Sequence, residues 1–416
     1  MADLDVLAHH LAEIGRLVYA SKLELDGLQY GAHDRNWEKE HELFYCRQPG
    51  SAPYATRLFL SDDGQPAGYA HIRLRTDGLE LSETYLAPPS AMSQANGYFW
   101  TCLQPIRDYG QEEVACVPFI TPDTLFSMCA QASVWICIRI LHETSGGFVE
   151  RVDLPSIQTM SKGHPFADHE GLEFKYIARV LRMCRSNAFY FDSQTLGDDQ
   201  LEFCLYAYIE SGLPVIIGVD VGDLPWWNGH PPGYHSIVAI GHTMNAGKVD
   251  GYLFHDESTL PYQRLTLAEL TNAWHNHQNR ALRQAVVAVP PSVVVPVHVA
   301  LQLHQQLVTV LVDRAKVMKA LLKTSSLRPT LMSGSSVIRM LVVQTPAFMN
   351  AYAQGLSAAL TADSYWVIEM WSPQRRHRRG FFLMDSTGGD FYGVYSDLDN
   401  RMVTHAGGVI RTFDAP

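Results

Sequence analysis

Residues 126–141 read FSMCAQASVWICIRIL. After Cys129 the run is almost wholly apolar, with Arg139 near its end. Val134, Trp135, Ile136, Ile138, Ile140 and Leu141 leave no polar face, so the segment predicts a helix buried on most sides. Free cysteine is among the most buried residue types and behaves as a small hydrophobe. That reading suits Cys137, in the body of the helix. Cys129 belongs to the first turn, where position changes the balance. Unpaired N–H groups and the positive end of the helix dipole lower a thiol's pKa there, and the same N–H groups can receive an oxyanion.

A thiolate nucleophile needs a general base, and the base needs an orienting acceptor. YHSIVAIGH (234–242) places His235 at the start of a predicted strand. GYLFHDES (251–258) places Asp256 at the end of the next one, 21 residues on. A short turn containing Asn245 and Gly247 joins them, so an antiparallel hairpin brings the two ends together. His255 and Asp256 alternate faces on one strand and should not point at one site. His230, His242, His255, His275 and His277 surround the set in sequence, but none has the HExxH spacing of a metal hydrolase. No metal and no other cofactor is expected. The pair Trp226-Trp227 precedes His235 and either lines a substrate groove or packs on the core.

This ordered set resembles papain-like cysteine peptidases, and among them the bacteriocin-processing peptidase-like group, which cuts after double-glycine leaders. That group has Cys-Gly-Pro-Ala-small-Leu opening a helix, then a Gly-x-Pro-Val-Ile strand, then Gly-His-x-apolar, then a strand ending in Asp. Here the corresponding residues are Cys129-Ala130-Gln131-Ala132-Ser133-Val134, Gly212-Leu213-Pro214-Val215-Ile216, YHSIVAIGH and YLFHDES, in that order. LPYQRLTLAELTNAW (260–274) is similar to the group's segment after the Asp. The resemblance covers the middle third of the chain. It implies an α+β papain-like core in which a buried helix carries the cysteine against an antiparallel sheet. It also implies Cys129 as nucleophile, His235 as base and Asp256 as orienter.

Three positions depart from the pattern. Ala130 stands for the Gly after the cysteine, and Tyr234 for the Gly before the histidine. The group's oxyanion-donating glutamine, six residues before the cysteine, is replaced by Asp123. An ionised Asp donates no hydrogen bond, so the neighbouring Thr124 becomes the oxyanion candidate, together with the Cys129 N–H. A second register, aligned on Trp135 as in papain, would put Val134 at the nucleophile. The run Ala132-Ser133-Val134 favours Cys129.

The composition of the whole 416-residue chain is that of an ordinary globular protein. Hydrophobic residues make up 47% and charged residues 18%, enough for a sizeable core. A formal net charge of −11 argues against nucleic acid as a partner. Arg375, Arg376, Arg378 and Arg379 form only a local basic cluster, expected at a solvated hairpin tip. The seven cysteines form no CxxC pair, which disfavours disulfides and structural zinc. No signal peptide is visible, and Val286–Leu303 is broken by prolines, so no membrane partner is expected. The compartment is expected to be cytoplasmic, or reached by export without a recognisable signal.

Three regions follow: an α+β region over 1–112 opening with an amphipathic helix over 2–24, the peptidase-like region over 113–296, and a helix-plus-sheet region over 297–416. The last is expected to pack on the middle one. YWVIEMW…GFFLMDST within it faintly echoes HSIVAIGH…GYLFHDES. The expected function is cleavage of peptide or isopeptide bonds in a protein or peptide substrate, through a thioester. Acyl transfer or deamidation by the same triad, and a degenerate fold used as a binding module, stay open, as does the oligomeric state.

Overall fold

The computed structural model describes residues 55–62, 65–75, 78–88, 98–101, 104–107, 113–120, 129–144, 149–161, 172–227, 231–259, 261–276, 278–314, 326–344, 350–371, 378–396, 402–406 and 409–413. The helix expected over 2–24, Asp123, Thr124, His230, His277, Arg375 and Arg376 lie outside them.

Among the described residues the protein is α+β, with three antiparallel sheets. In the first, β1 (Ala55–Asp62), β2 (Gln65–Arg75) and β3 (Gly78–Leu86) form a meander. β4 (Tyr98–Thr101) leaves it for the middle sheet, and β5 (Gln104–Arg107) and β6 (Glu113–Phe119) complete the order β1-β2-β3-β6-β5. The boundary expected at 112/113 is thus crossed both ways: β4 pairs with a middle strand, and β6 pairs back to β3.

The helix of the opening stretch is α1 (Cys129–Thr144), and every residue from Ala130 to Leu141 is buried. The chain continues through α2 (Leu154–Ser161), α3 (Phe174–Met183), β7 (Asn187–Asp192), the short α4 (Ser193–Leu196) and α5 (Asp198–Glu210). Then come β8 (Val215–Asp220), β9 (Tyr234–Asn245), β10 (Lys248–His255), β11 (Gln263–Thr266), α6 (Leu267–Ala273) and β12 (Gln284–Val289). The sheet order is β11-β10-β9-β8-β12-β7, with β4 beside the far half of β9. β8 is buried along its whole length, as its unbroken apolar run requires.

Two local signals fix this region. β9 and β10 are joined by Ala246 and Gly247, both at positive φ (50° and 78°), as a two-residue hairpin turn demands. Thr266 caps α6 with a capping box: its hydroxyl accepts the Glu269 N–H, and the Glu269 carboxylate accepts the Thr266 N–H.

The third region contains α7 (Val297–Arg314), β13 (Ser326–Ser333), α8 (Gly334–Gln344), α9 (Asn350–Ala359), β14 (Ser364–Trp371), β15 (Arg378–Asp385), β16 (Phe391–Ser396), β17 (Met402–Ala406) and β18 (Val409–Phe413). Its strands pair in chain order. β14 is apolar on both faces because both are covered. Trp366, Ile368 and Met370 join the core of the middle region. Tyr365 and Val367 join a second core with Val337, Leu341 and Leu356 of α8 and α9.

A buried charged contact adds to this junction. Arg328 of β13 donates from Nε to Glu210 Oε2 at 2.6 Å, and Glu210 Oε1 meets His242 Nε2 at 2.9 Å. The third region therefore packs on the middle one, as expected. The basic cluster is partly corrected: Arg378 belongs to β15, is mostly buried and donates to Glu369 Oε1 at 2.8 Å. No helix among the described residues is long and apolar enough to cross a membrane.

Candidate active site

Cys129 is the first residue of α1. No acidic side chain occupies the first turn, so none there neutralises the dipole's positive end. One turn along, Ser133 lies within hydrogen-bond distance of Ser236, 3.3 Å between hydroxyl oxygens. This contact seats the helix on the start of β9, beside His235. Ala130, in place of the resembled family's glycine, is buried without disturbing the helix.

Tyr234 occupies the other glycine position, and the opposite strand makes room for it. Gly218 pairs with Ser236 across the ladder, and a Cβ there would come within 2.9 Å of the Tyr234 hydroxyl. That hydroxyl donates to Gln284 Oε1 at 3.1 Å. Burial and the nearby Cys129 charge push its pKa well above the ordinary value.

The hairpin brings His235 and Asp256 together. His235 Nε2 and Asp256 Oδ1 are 3.0 Å apart, both side chains almost wholly buried. A ring nitrogen of His235 lies within 4.8 Å of the Cys129 sulfur, and the imidazole acts on the thiol through a hydrogen bond and its charge. Asp256 is held from three further directions. The indole N–H groups of Trp226 and Trp227 each donate to its Oδ2 at 2.7 Å, and the Ser258 N–H donates to Oδ1 at 3.1 Å. Neither sequence reading of the tryptophan pair anticipates this. The Trp227 ring also packs on His235, with 5.5 Å between ring centres.

The electrostatics follow from burial and pairing. Burial alone would raise the Cys129 thiol. The hydrogen bond and charge of His235, with hydrogen bonds to Ser236, outweigh it and bring the pKa from 9.0 down to about 7. Burial also works against the imidazolium. Glu257, Asp256 and Cys129 nonetheless hold His235 well above its ordinary value. Burial works against the Asp256 carboxylate too, but His235 and the two indoles hold its pKa down. At neutral pH these directions favour a thiolate–imidazolium pair over a neutral thiol and imidazole.

Glu257 is a residue the sequence reading missed. It is 1% exposed, and its Oε1 lies 3.6 Å from His235 Nε2. Burial, with the neighbouring Asp256 and Cys129 charges, pushes its carboxyl well above the ordinary range, against the pull of the His235 charge. Where Glu257 holds its proton, Asp256 and the Cys129 thiolate are what keep His235 charged. Strand alternation would send neighbouring residues to opposite faces, but β10 ends at His255. Asp256 and Glu257 stand in the turn beyond it, where alternation no longer applies. His255 itself points elsewhere: its ring accepts the Tyr262 N–H and packs edge-on against Phe119.

Cys129, His235 and Glu257 offer ligand atoms within 4.8 Å of one another, as do Asp220, Asp223 and His275 in a second group. Thr124, the oxyanion candidate, lies outside the described residues. The chain matches no protein-family model, and no curated protein matches it at a significant level.

Proposed function

We propose that the protein is a papain-like cysteine hydrolase that opens peptide or isopeptide bonds through a thioester. The observation that carries this reading is the convergence of Cys129, at a helix start, on His235 within 4.8 Å, with His235 bonded in turn to Asp256 at 3.0 Å. A core cysteine gains nothing from a buried imidazole whose other nitrogen is held by a carboxylate. A nucleophile needs both.

In this mechanism the Cys129 thiolate attacks the carbonyl carbon. The developing oxyanion is received at the start of α1, where backbone N–H groups have no intrahelical partner. His235, already protonated, gives its proton to the leaving amine. The thioester remains on Cys129, and His235 then takes a proton from an incoming water as the acyl group leaves. Asp256 keeps the ring oriented throughout and offsets its charge. The two indole N–H groups hold Asp256 in place, so they act through it.

The test is covalent labelling by a peptidyl electrophile at pH 7, followed by intact mass and peptide mapping. One adduct on Cys129 is expected, abolished in Cys129→Ala. Labelling spread over Cys184 and Cys204, or no labelling faster than a free thiol, would overturn the proposal. With a peptide substrate, added amine distinguishes hydrolysis from transfer by the product's mass.

A further inference from the structure

A second cluster of buried ligating groups stands apart from the nucleophile, and nothing above uses it. β8 ends at Asp220, a single 3-10 turn (Val221–Asp223) follows, and His275 comes two residues after the end of α6. Asp220 is rigidly placed. Its Oδ1 accepts the N–H groups of Gly222 and Gly233, each at 3.0 Å. That fixes the direction of Oδ2, which is buried and has no hydrogen bond among the described residues. Asp223 Oδ2 and His275 Nε2 are likewise buried without a hydrogen bond among the described residues. His275 Nε2 lies 3.3 Å from Asp223 Oδ2 and 3.8 Å from Asp220 Oδ2, and all three atoms fall within 4.8 Å of one another.

Side-chain exposure is 1% for Asp220 and 5% for His275, so two of the three are sealed from solvent. Asp223, at 26%, faces outward, and the exposed Arg280 guanidinium approaches its Oδ2 at 3.5 Å. A buried carboxylate oxygen with no donor is costly. One imidazole at these distances does not satisfy two of them. A bound cation would. Ligand bonds of about 2.0–2.2 Å in tetrahedral array put ligand atoms roughly 3.3–3.6 Å apart, close to the spacings here. Two carboxylates with one imidazole suit zinc or manganese among divalent ions.

We propose that Asp220, Asp223 and His275 form a structural site for a divalent first-row metal ion, zinc or manganese. The ion would fasten the end of α6 to the loop that leaves β8. Trp226 and Trp227 lie three and four residues beyond Asp223 on that loop, so the site anchors the segment that holds Asp256. The metal assignment does not depend on the proposed hydrolysis.

The test uses the full chain carrying Cys129→Ala, since the thiolate cluster would itself take zinc. After chelator treatment and dialysis, ZnCl2 and MnCl2 are titrated by calorimetry and the thermal midpoint is followed. One equivalent bound per chain is expected, with a midpoint that rises with metal concentration. Manganese on the unsubstituted chain gives the same readout without reliance on that variant. Asp223→Asn, at the half-exposed position, and His275→Gln should each weaken binding at least about a hundredfold, because losing a mere partner of a ligand costs about 10- to 100-fold. Arg280→Ala should leave binding intact or tighten it. Absence of binding by both metals, or binding that survives Asp223→Asn and His275→Gln, would overturn the site. A midpoint lowered by Arg280→Ala but indifferent to metal would do the same, by showing an ion-pair network.

Discussion

The hairpins β9–β10 and β14–β15 share a pattern and differ in use. When their second strands are superposed on Gly251 and Gly380, Asp256 falls on Asp385; on the first strands His235 falls on Tyr365. Both aspartates stand where the second strand gives way to a turn. Both accept the N–H two residues on, from Ser258 at 3.1 Å and from Thr387 at 2.8 Å. Asp385 is half-buried, and its second bond to Oδ1 comes from the Thr387 hydroxyl, within its own turn. Asp256 is wholly buried and takes its further bonds from His235, Trp226 and Trp227. Tyr365 accepts the Ala362 N–H, a local contact. An aspartate at a strand end is thus a turn device by default. At Asp256 the same device also faces a buried ring that lies beside a helix-borne thiol, the arrangement on which the proposed function rests.

His235→Ala against Tyr365→Phe tests that contrast at its widest. Removing a triad member typically costs several orders of magnitude in rate, so His235→Ala should reduce Cys129 labelling and any hydrolysis by that order. Tyr365→Phe removes one hydrogen-bond acceptor, should cost about 1 kcal/mol of stability, and should leave the rate alone. Comparable rate losses in the two variants would erase the distinction between the hairpins.

The pH profile of labelling is the next largest effect. For wild type the rate should rise through about 7, the value His235 confers on Cys129. In His235→Ala only the Ser236 hydrogen bonds are left to oppose burial, so the midpoint should move upward. Cys184 shows what burial does by itself, pushing the thiol to about 11; at Cys204 burial, opposed only by a backbone hydrogen bond to His298, pushes it to about 12. Labelling that is flat across pH 6–8, or unmoved by the substitution, would remove the thiolate from the argument.

Much of this was legible in the residues. The buried helix from Cys129, the hairpin carrying His235 and Asp256, and the capped helix after Thr266 each follow from periodicity, turn chemistry or a cap. What was hidden depends on contacts across loops. Trp226 and Trp227 reach Asp256 from 30 and 29 residues away, and no spacing rule connects an indole N–H to a carboxylate. Glu257 was not singled out, because it stands past the end of β10, in a turn where no periodicity says which way its side chain points. The exchange of β4 and β6 between sheets was hidden for another reason: short strands carry too little pattern to name their partners.

Trp226→Phe and Trp227→Phe come next in size. Each removes one charge-assisted hydrogen bond to a buried carboxylate, worth roughly 1.5–3 kcal/mol. Each should lower the labelling rate by about tenfold, and the pair should cost more than either alone, since they share one oxygen. Asp385→Asn, in the other hairpin, should leave the rate unchanged. A silent double Phe variant would mean that His235 and the Ser258 N–H suffice to position Asp256.

The smallest effect concerns Glu257, whose counterpart in the second hairpin is Ser386, a buried hydroxyl 2.6 Å from that of Ser364. Where Ser386 is satisfied, Glu257 has one carboxyl oxygen with no hydrogen-bond partner among the described residues. Burial raises its pKa above the ordinary 4.5, so the folded chain keeps a proton that the unfolded chain releases above that pH. Its contribution to stability is therefore full below 4.5 and declines as pH rises toward the folded value. Glu257→Gln removes the titration while keeping the shape. The variant should match wild type in thermal midpoint near pH 4 and exceed it by a few degrees at pH 8. Its labelling rate should change little, because Asp256 and the thiolate still hold the charge on His235. If Glu257 were instead ionised beside His235, Gln would lower the midpoint at pH 8 and weaken the imidazolium, and the labelling profile would shift upward in pH. The two signs are opposite, so one pair of melting curves and one rate profile decide whether Glu257 is a neutral wall of the site or a second carboxylate in it.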